Sequence, residues 1–141
     1  MNLHKSREVV YIAGPFTSDD ELIVAHHCNV ASALARRVRA YGMVPFVPHT
    51  GLAGGHTALN EQSSPRVGLP DLTWEQAMVE CREILQRCDA MLMVEGWERS
   101  RGATEERALA KACGIPVFDT FAELIAAGLH GAKREAAHEP A

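Results

Sequence analysis

Short apolar runs of strand length alternate along this chain with stretches at helical spacing, and few folds accommodate that rhythm. The first run, Glu8-Val9-Val10-Tyr11-Ile12-Ala13, is rich in β-branched residues and stops at Gly14-Pro15, which reads as a buried strand. Ser18-Asp19-Asp20 then offers helix-capping oxygens, and Leu22, Ala25, Val30, Ala33, Leu34 and Val38 recur near helical spacing over roughly 20–41. Arg36-Arg37-Val38-Arg39 puts positive charge where a helix C-terminus favours it, and Gly42 ends the helix. Met43–Val47 is a second short strand, weakened by Pro45 and stopped by Pro48.

Regularity fails over 50–70, where Gly51, Gly54, Gly55, Pro65, Gly68 and Pro70 predict a long loop, read as a lid or an oligomer contact, with a simple disordered insertion as the alternative. It returns at Thr73, where Thr73-Trp74-Glu75-Gln76 fits a capping box and Met78, Cys81, Ile84, Leu85 and Cys88 continue at helical spacing. Asp89 opens a third strand at 90–94, followed by a loop over 95–102 and a helix over roughly 103–113. Ile115–Phe118 is a fourth strand and Phe121–Leu129 a last helix. The expected fold is a single Rossmann-like or flavodoxin-like α/β domain over 1–129. It has a mostly parallel sheet of four to five strands with helices on both faces. Residues 130–141 read as a disordered tail. In such sheets ligands bind beyond the carboxyl ends of strands, where the strand order reverses, so the loops at 14–20 and 95–103 both qualify.

The 141 residues carry a net charge of −4, which argues against a nucleic acid duplex as partner because backbone binding needs clustered Lys and Arg. A single nucleotide needs only a few donors and stays open. No apolar run nears the roughly 20 residues that span a bilayer, and the N-terminal residues lack a signal peptide's apolar core, so the expected location is cytoplasmic. Cys28, Cys81, Cys88 and Cys113 contain no C-x-x-C pair and read as reduced thiols, with Cys81 and Cys88 on one helix face. His26 and His27 are adjacent and so cannot share a helix face, which leaves no metal site expected.

Two stretches could carry chemistry. In Tyr11-Ile12-Ala13-Gly14-Pro15-Phe16-Thr17 the small residues allow backbone to approach a ligand closely, although Gly-Pro after a strand is also ordinary turn chemistry. Neither G-x-G-x-x-G nor a phosphate-loop G-x-x-x-x-G-K-[ST] is present. In Gly96-Trp97-Glu98-Arg99-Ser100-Arg101-Gly102-Ala103-Thr104-Glu105-Glu106, Gly102 and Ala103 expose N–H groups at a helix start. Glu106 lies one turn inside, where it can reach the site or simply stabilise the helix dipole. Trp97 either stacks on a base or packs over the sheet edge, and His49 follows the second strand at the same end of the sheet. Asp119-Thr120 reads as a cap for the last helix, and Glu75, Glu80 and Glu83 as a solvated face.

Taken together, Tyr-Ile-Ala-Gly-Pro at 11–15, Gly96-Trp97 and Ser100-x-Gly102-Ala103-x-x-Glu106 followed by Ala108 and Ala110 resemble the nucleoside 2-deoxyribosyltransferase superfamily over residues 8–118. The Gly-Trp-x-x-Ser-x-Gly-Ala stretch resembles an uncharacterised bacterial and phage branch of it, related to nucleoside 5′-monophosphate N-glycosidases. The resemblance implies that Glu106 is the nucleophile at the sugar C1′ and that Tyr11 contacts it. It also makes Ser100, with the Gly102 and Ala103 N–H groups, the sugar or phosphate cradle, while Gly14, Pro15, Phe16, His49 and Trp97 are candidates to line the pocket from their places in the chain. Ser100 stands where the phosphate hydrolases carry a phosphate-binding serine. Pro15 and Thr17 stand where those hydrolases carry a serine and an arginine, and Cys81 stands where the superfamily has a helix aspartate. Arg99 and Arg101 could take over phosphate contacts or be merely solvated.

The expected function is therefore an N-glycosidic-bond hydrolase or transferase acting on a nucleoside or nucleoside 5′-monophosphate, with no metal or redox cofactor, in a homodimer or larger homo-oligomer. The alternatives are a non-catalytic nucleotide-binding or sensing module on the same fold, and a purely structural accessory protein.

Overall fold

The computed structural model describes residues 7–16, 19–48 and 73–129. The expected 50–70 loop and 130–141 tail, together with Thr17, Ser18 and His49, lie outside the described residues. The described elements run β1 (Val9–Ala13), α1 (Glu21–Ala40), β2 (Val44–Phe46), α2 (Trp74–Leu85), β3 (Ala90–Met93), a 3₁₀ turn (Trp97–Arg99), α3 (Arg101–Ala112), β4 (Val117–Phe118) and α4 (Phe121–Ala126). The four strands form one sheet in the order β2-β1-β3-β4, and every pairing is parallel. This is the expected α/β architecture, with the strand order reversing between β1 and β3.

Strand residues alternate strictly between two cores, as a period-2 element buried on both faces must. Val10, Ile12, Ala90, Leu92 and Val94 pack toward α1 and α4, against Ala31, Ala35, Val38 and Leu124. Tyr11, Ala13, Met91 and Met93 point the other way, into a second core with Ala77, Cys81 and Leu85 of α2 and Ala103 and Ala110 of α3. Pro45 sits on β2, which pairs with β1 alone among the described residues. A residue without an N–H is tolerated at such an edge.

Helix starts follow their caps. The Asp20 carboxylate accepts the Leu22 N–H at 2.9 Å. Thr73 and Gln76 form the reciprocal capping box, with bonds of 3.0 and 2.8 Å. Thr120 caps α4 by accepting the Glu123 N–H at 3.1 Å, whereas the Asp119 carboxylate is drawn aside by Arg107 at 2.9 and 3.1 Å. Two expectations are corrected. Helix α2 ends at Leu85, so Cys88 lies beyond it, although both Cys81 and Cys88 are buried in the same core. Glu80 is half-buried, unlike the exposed Glu75 and Glu83.

Candidate functional site

A cleft of about 390 Å³ opens at the carboxyl ends of β1 and β3. Its floor is the loop that leaves β1, Ala13 to Phe16, and one wall is the start of α3, from Ser100 to Glu106. Gly14 is required there by space: a Cβ at that position would lie 2.4 Å from the Cβ of Val94. Only a bare backbone lets the first loop press onto the end of β3. Gly96 turns the second loop with φ of +91°, a left-handed conformation that favours glycine.

Glu106 is buried, with 5% of its surface exposed, and it still borders the cleft. Helix α3 carries it inward over the β-sheet face where Tyr11 points, and the Tyr11 hydroxyl donates to Glu106 Oε2. Burial pushes the Glu106 carboxyl up to about 7; the Tyr11 hydrogen bond and the charge of Arg82 oppose that rise. Tyr11 itself is driven well above its ordinary value, first by burial and then by the negative charge of Glu106. The Cys81 thiol borders the cleft beside this pair, and burial followed by Glu106 pushes it up to about 12. Such a thiol stays protonated and is a poor nucleophile.

The mouth is positive. Arg99, Ser100 and Arg101 all border the cleft. Arg101 stacks on the Trp74 ring at 4.6 Å and bonds Glu105 at 3.1 Å, while Arg82 of α2 meets the same carboxylate at 3.0 Å. Arg101, then Arg82, hold Glu105 below its usual range, so it stays charged and occupied. For Arg99 no carboxylate partner is found among the described residues. Its guanidinium also helps keep His27 low, after burial and His26.

Most of the residues singled out from sequence come together here: Gly14, Pro15, Phe16, Ser100, Gly102, Ala103 and Glu106 border one cleft, with Tyr11 behind Glu106. Two qualifications matter. Ser100 is the N-cap of α3, its hydroxyl accepting the Ala103 N–H at 3.2 Å, so that N–H is not free to hold an anion. Trp97 does not border the cleft; it packs against the second core with Arg107 stacked on its ring at 4.4 Å.

The aromatic wall is Trp74 instead. A signal for it was present. In a parallel sheet a helix that leads into a strand starts at the carboxyl edge, so the capping box at Thr73 places Trp74 beside the site. Among the described residues no group of three His, Cys, Asp or Glu side chains could hold a metal ion. No described helix is long and apolar enough to cross a membrane.

Fold and site together define a single-domain α/β protein with a switch-point cleft and a buried carboxylate–phenol pair on its wall. The chain belongs to the family described as Domain of unknown function (DUF4406), whose model matches residues 8–119. No curated protein matches the chain. A conserved protein from Enterococcus faecalis V583, solved by crystallography, is similar in fold, with a TM-score of 0.51 at 19% identity. The match covers 79% of this chain and 62% of that one, so this chain spans less than two thirds of its neighbour.

Proposed function

We propose that this protein cleaves the N-glycosidic bond of a nucleoside or nucleoside 5′-monophosphate, with Glu106 as nucleophile. One observation carries the reading: a carboxylate buried in the wall of the switch-point cleft, held by the Tyr11 hydroxyl. A sugar C1′ at the floor of the cleft would face it. Ionised Glu106 attacks C1′, the C1′–N bond breaks, and the base leaves with the electron pair and takes up a proton. Water, or the nitrogen of another base, then attacks C1′, gives up its proton to solvent, and frees the carboxylate. The Tyr11 hydrogen bond favours the ionised form that the attack needs. Trp74 offers a flat face for the base, and Arg99 and the Ser100 hydroxyl offer polar contacts for the sugar or a 5′-phosphate.

The resemblance of the Tyr11–Pro15 and Ser100–Glu106 stretches to the nucleoside 2-deoxyribosyltransferase superfamily agrees with this reading. A specific feature favours the runner-up, a nucleotide-binding module without turnover. Glu106 is the one carboxylate among the described residues bordering the cleft, and Cys81 stands where the superfamily has an aspartate. Among the described residues no second carboxylate borders the cleft to protonate a departing base. Chromatographic assay of base release from a panel of nucleosides and their 5′-monophosphates separates the two. Release by the native protein, lost in Glu106→Gln with the fold intact, is the expected result. Equal turnover in Glu106→Gln would refute the nucleophile, and calorimetric binding with no release would favour the sensing module.

A further inference from the structure

Helix α1 is unusual for a helix on a protein surface. From Leu22 to Ala35, fourteen consecutive residues carry no Asp, Glu, Lys or Arg. A helix with one buried face ordinarily turns charged residues outward. Here the inner face is Val24, Ala31, Ala35 and Val38, and the outer face carries Leu22, Ile23, His26, Val30 and Ala33. Leu22 is 80% exposed, Ile23 44% and Val30 37%. Leu22, His26, Val30 and Ala33 follow the i, i+4, i+8, i+11 spacing of one continuous stripe.

Charge is confined to the two ends, with opposite sign. Asp19, Asp20 and Glu21 stand at the start of α1, and Arg36, Arg37 and Arg39 at its end. The uncharged stretch and the two charge blocks share a midpoint near residues 28–29. Two such helices laid antiparallel therefore match in two ways at once. The apolar stripes overlap, and each acidic end meets the partner's basic end. Parallel pairing would bring like charges together. A pattern that is its own complement when reversed is what an isologous two-fold contact requires, and antiparallel helix dipoles add to it.

We propose that the outer face of α1 is a self-association surface, on which two copies of this chain pair antiparallel about a two-fold axis. The inner face of α1 packs on the opposite side of the sheet from Tyr11 and Glu106, and the pairing is argued from α1 alone, so it does not rest on the proposed reaction.

The mass in solution tests it, by light scattering or sedimentation over a range of protein concentration. The native protein is expected at twice the chain mass of 15.4 kDa, and Leu22→Glu with Val30→Glu at the single mass. Both positions are exposed, so circular dichroism and the melting temperature of the monomer should report an intact fold. A charge exchange gives a second, independent arm. Asp19→Lys with Glu21→Lys, and separately Arg36→Glu with Arg39→Glu, should each weaken self-association at least about tenfold at low salt. An equimolar mixture of the two variants should recover a dimer of native strength. Asp20, which caps α1, and Arg37, which stacks on Phe121, are left alone. A native protein that stays at 15.4 kDa, a dimer that survives Leu22→Glu with Val30→Glu, or a mixture that fails to recover would each overturn the proposal.

Discussion

The Tyr11 hydroxyl does more for Glu106 than hold it in place. Burial raises the carboxyl to about 7, and the phenol's hydrogen bond is the largest influence acting the other way. A nucleophile must be ionised, so base release should rise with pH through a limb near that value. Tyr11→Phe removes the donor and should move the limb to higher pH, because the ionised form loses its partner while burial is unchanged. The pH profile of kcat/KM measures this. A lower rate with an unmoved limb would mean that Tyr11 acts by shape alone. The family resemblance is what singled out Tyr11 and Glu106 as a pair, and their contact follows from one rule. Alternation along β1 sends Tyr11 to the face that α3 covers. Trp97 escaped the same reasoning because a loop residue has no period, and Arg107, ten positions on, decides where its ring lies.

The loop that leaves β1 and the first turn of α3 build the cleft, and each depends on one small requirement. Gly14→Ala would set a methyl against the Val94 side chain, a rigid β-branched neighbour at the end of β3. Overpacking of this kind typically costs about 1–3 kcal/mol, and here it would also lift the cleft floor. Denaturant unfolding should show the loss, and ligand affinity should fall further than stability does. Ser100→Ala removes the α3 cap, an expected loss of about 1 kcal/mol. If Ser100 also touches the ligand, KM rises by more than that loss of stability explains; an unchanged KM would confine the residue to capping. Caps were the most legible part of the chain. Asp20, Thr73 and Thr120 were each visible from sequence and each begins a helix, because capping is chemistry local to four residues. Strands were also read to within two residues of where they lie, but the order β2-β1-β3-β4 was not, since it depends on pairings between residues such as Val10 and Ala90 that are far apart in the chain.

For the molecule as a whole, the buried carboxyl links folding to pH, and the direction follows from proton counting. Glu106 titrates near 4.5 in an unfolded chain and at about 7 in the folded one. Between those values the folded protein holds more protons, so its stability falls as pH rises and the loss is complete above about 7. A shift of that size corresponds to roughly 3 kcal/mol. The reaction proposed for this site needs the charged form, so the protein is least stable where it is most able to react. Glu106→Gln keeps the shape and removes the charge. It should therefore melt at a higher temperature than the native protein at pH 8, and at nearly the same temperature at pH 4. An equal difference at the two pH values would show that folding does not raise the carboxyl's pKa, and would overturn the reading of Glu106 as a strained, buried acid. A gap that opens above about 4.5 and levels off above about 7 shows that the folded protein itself takes on the charge, as expected of a functional group kept against the preference of the fold.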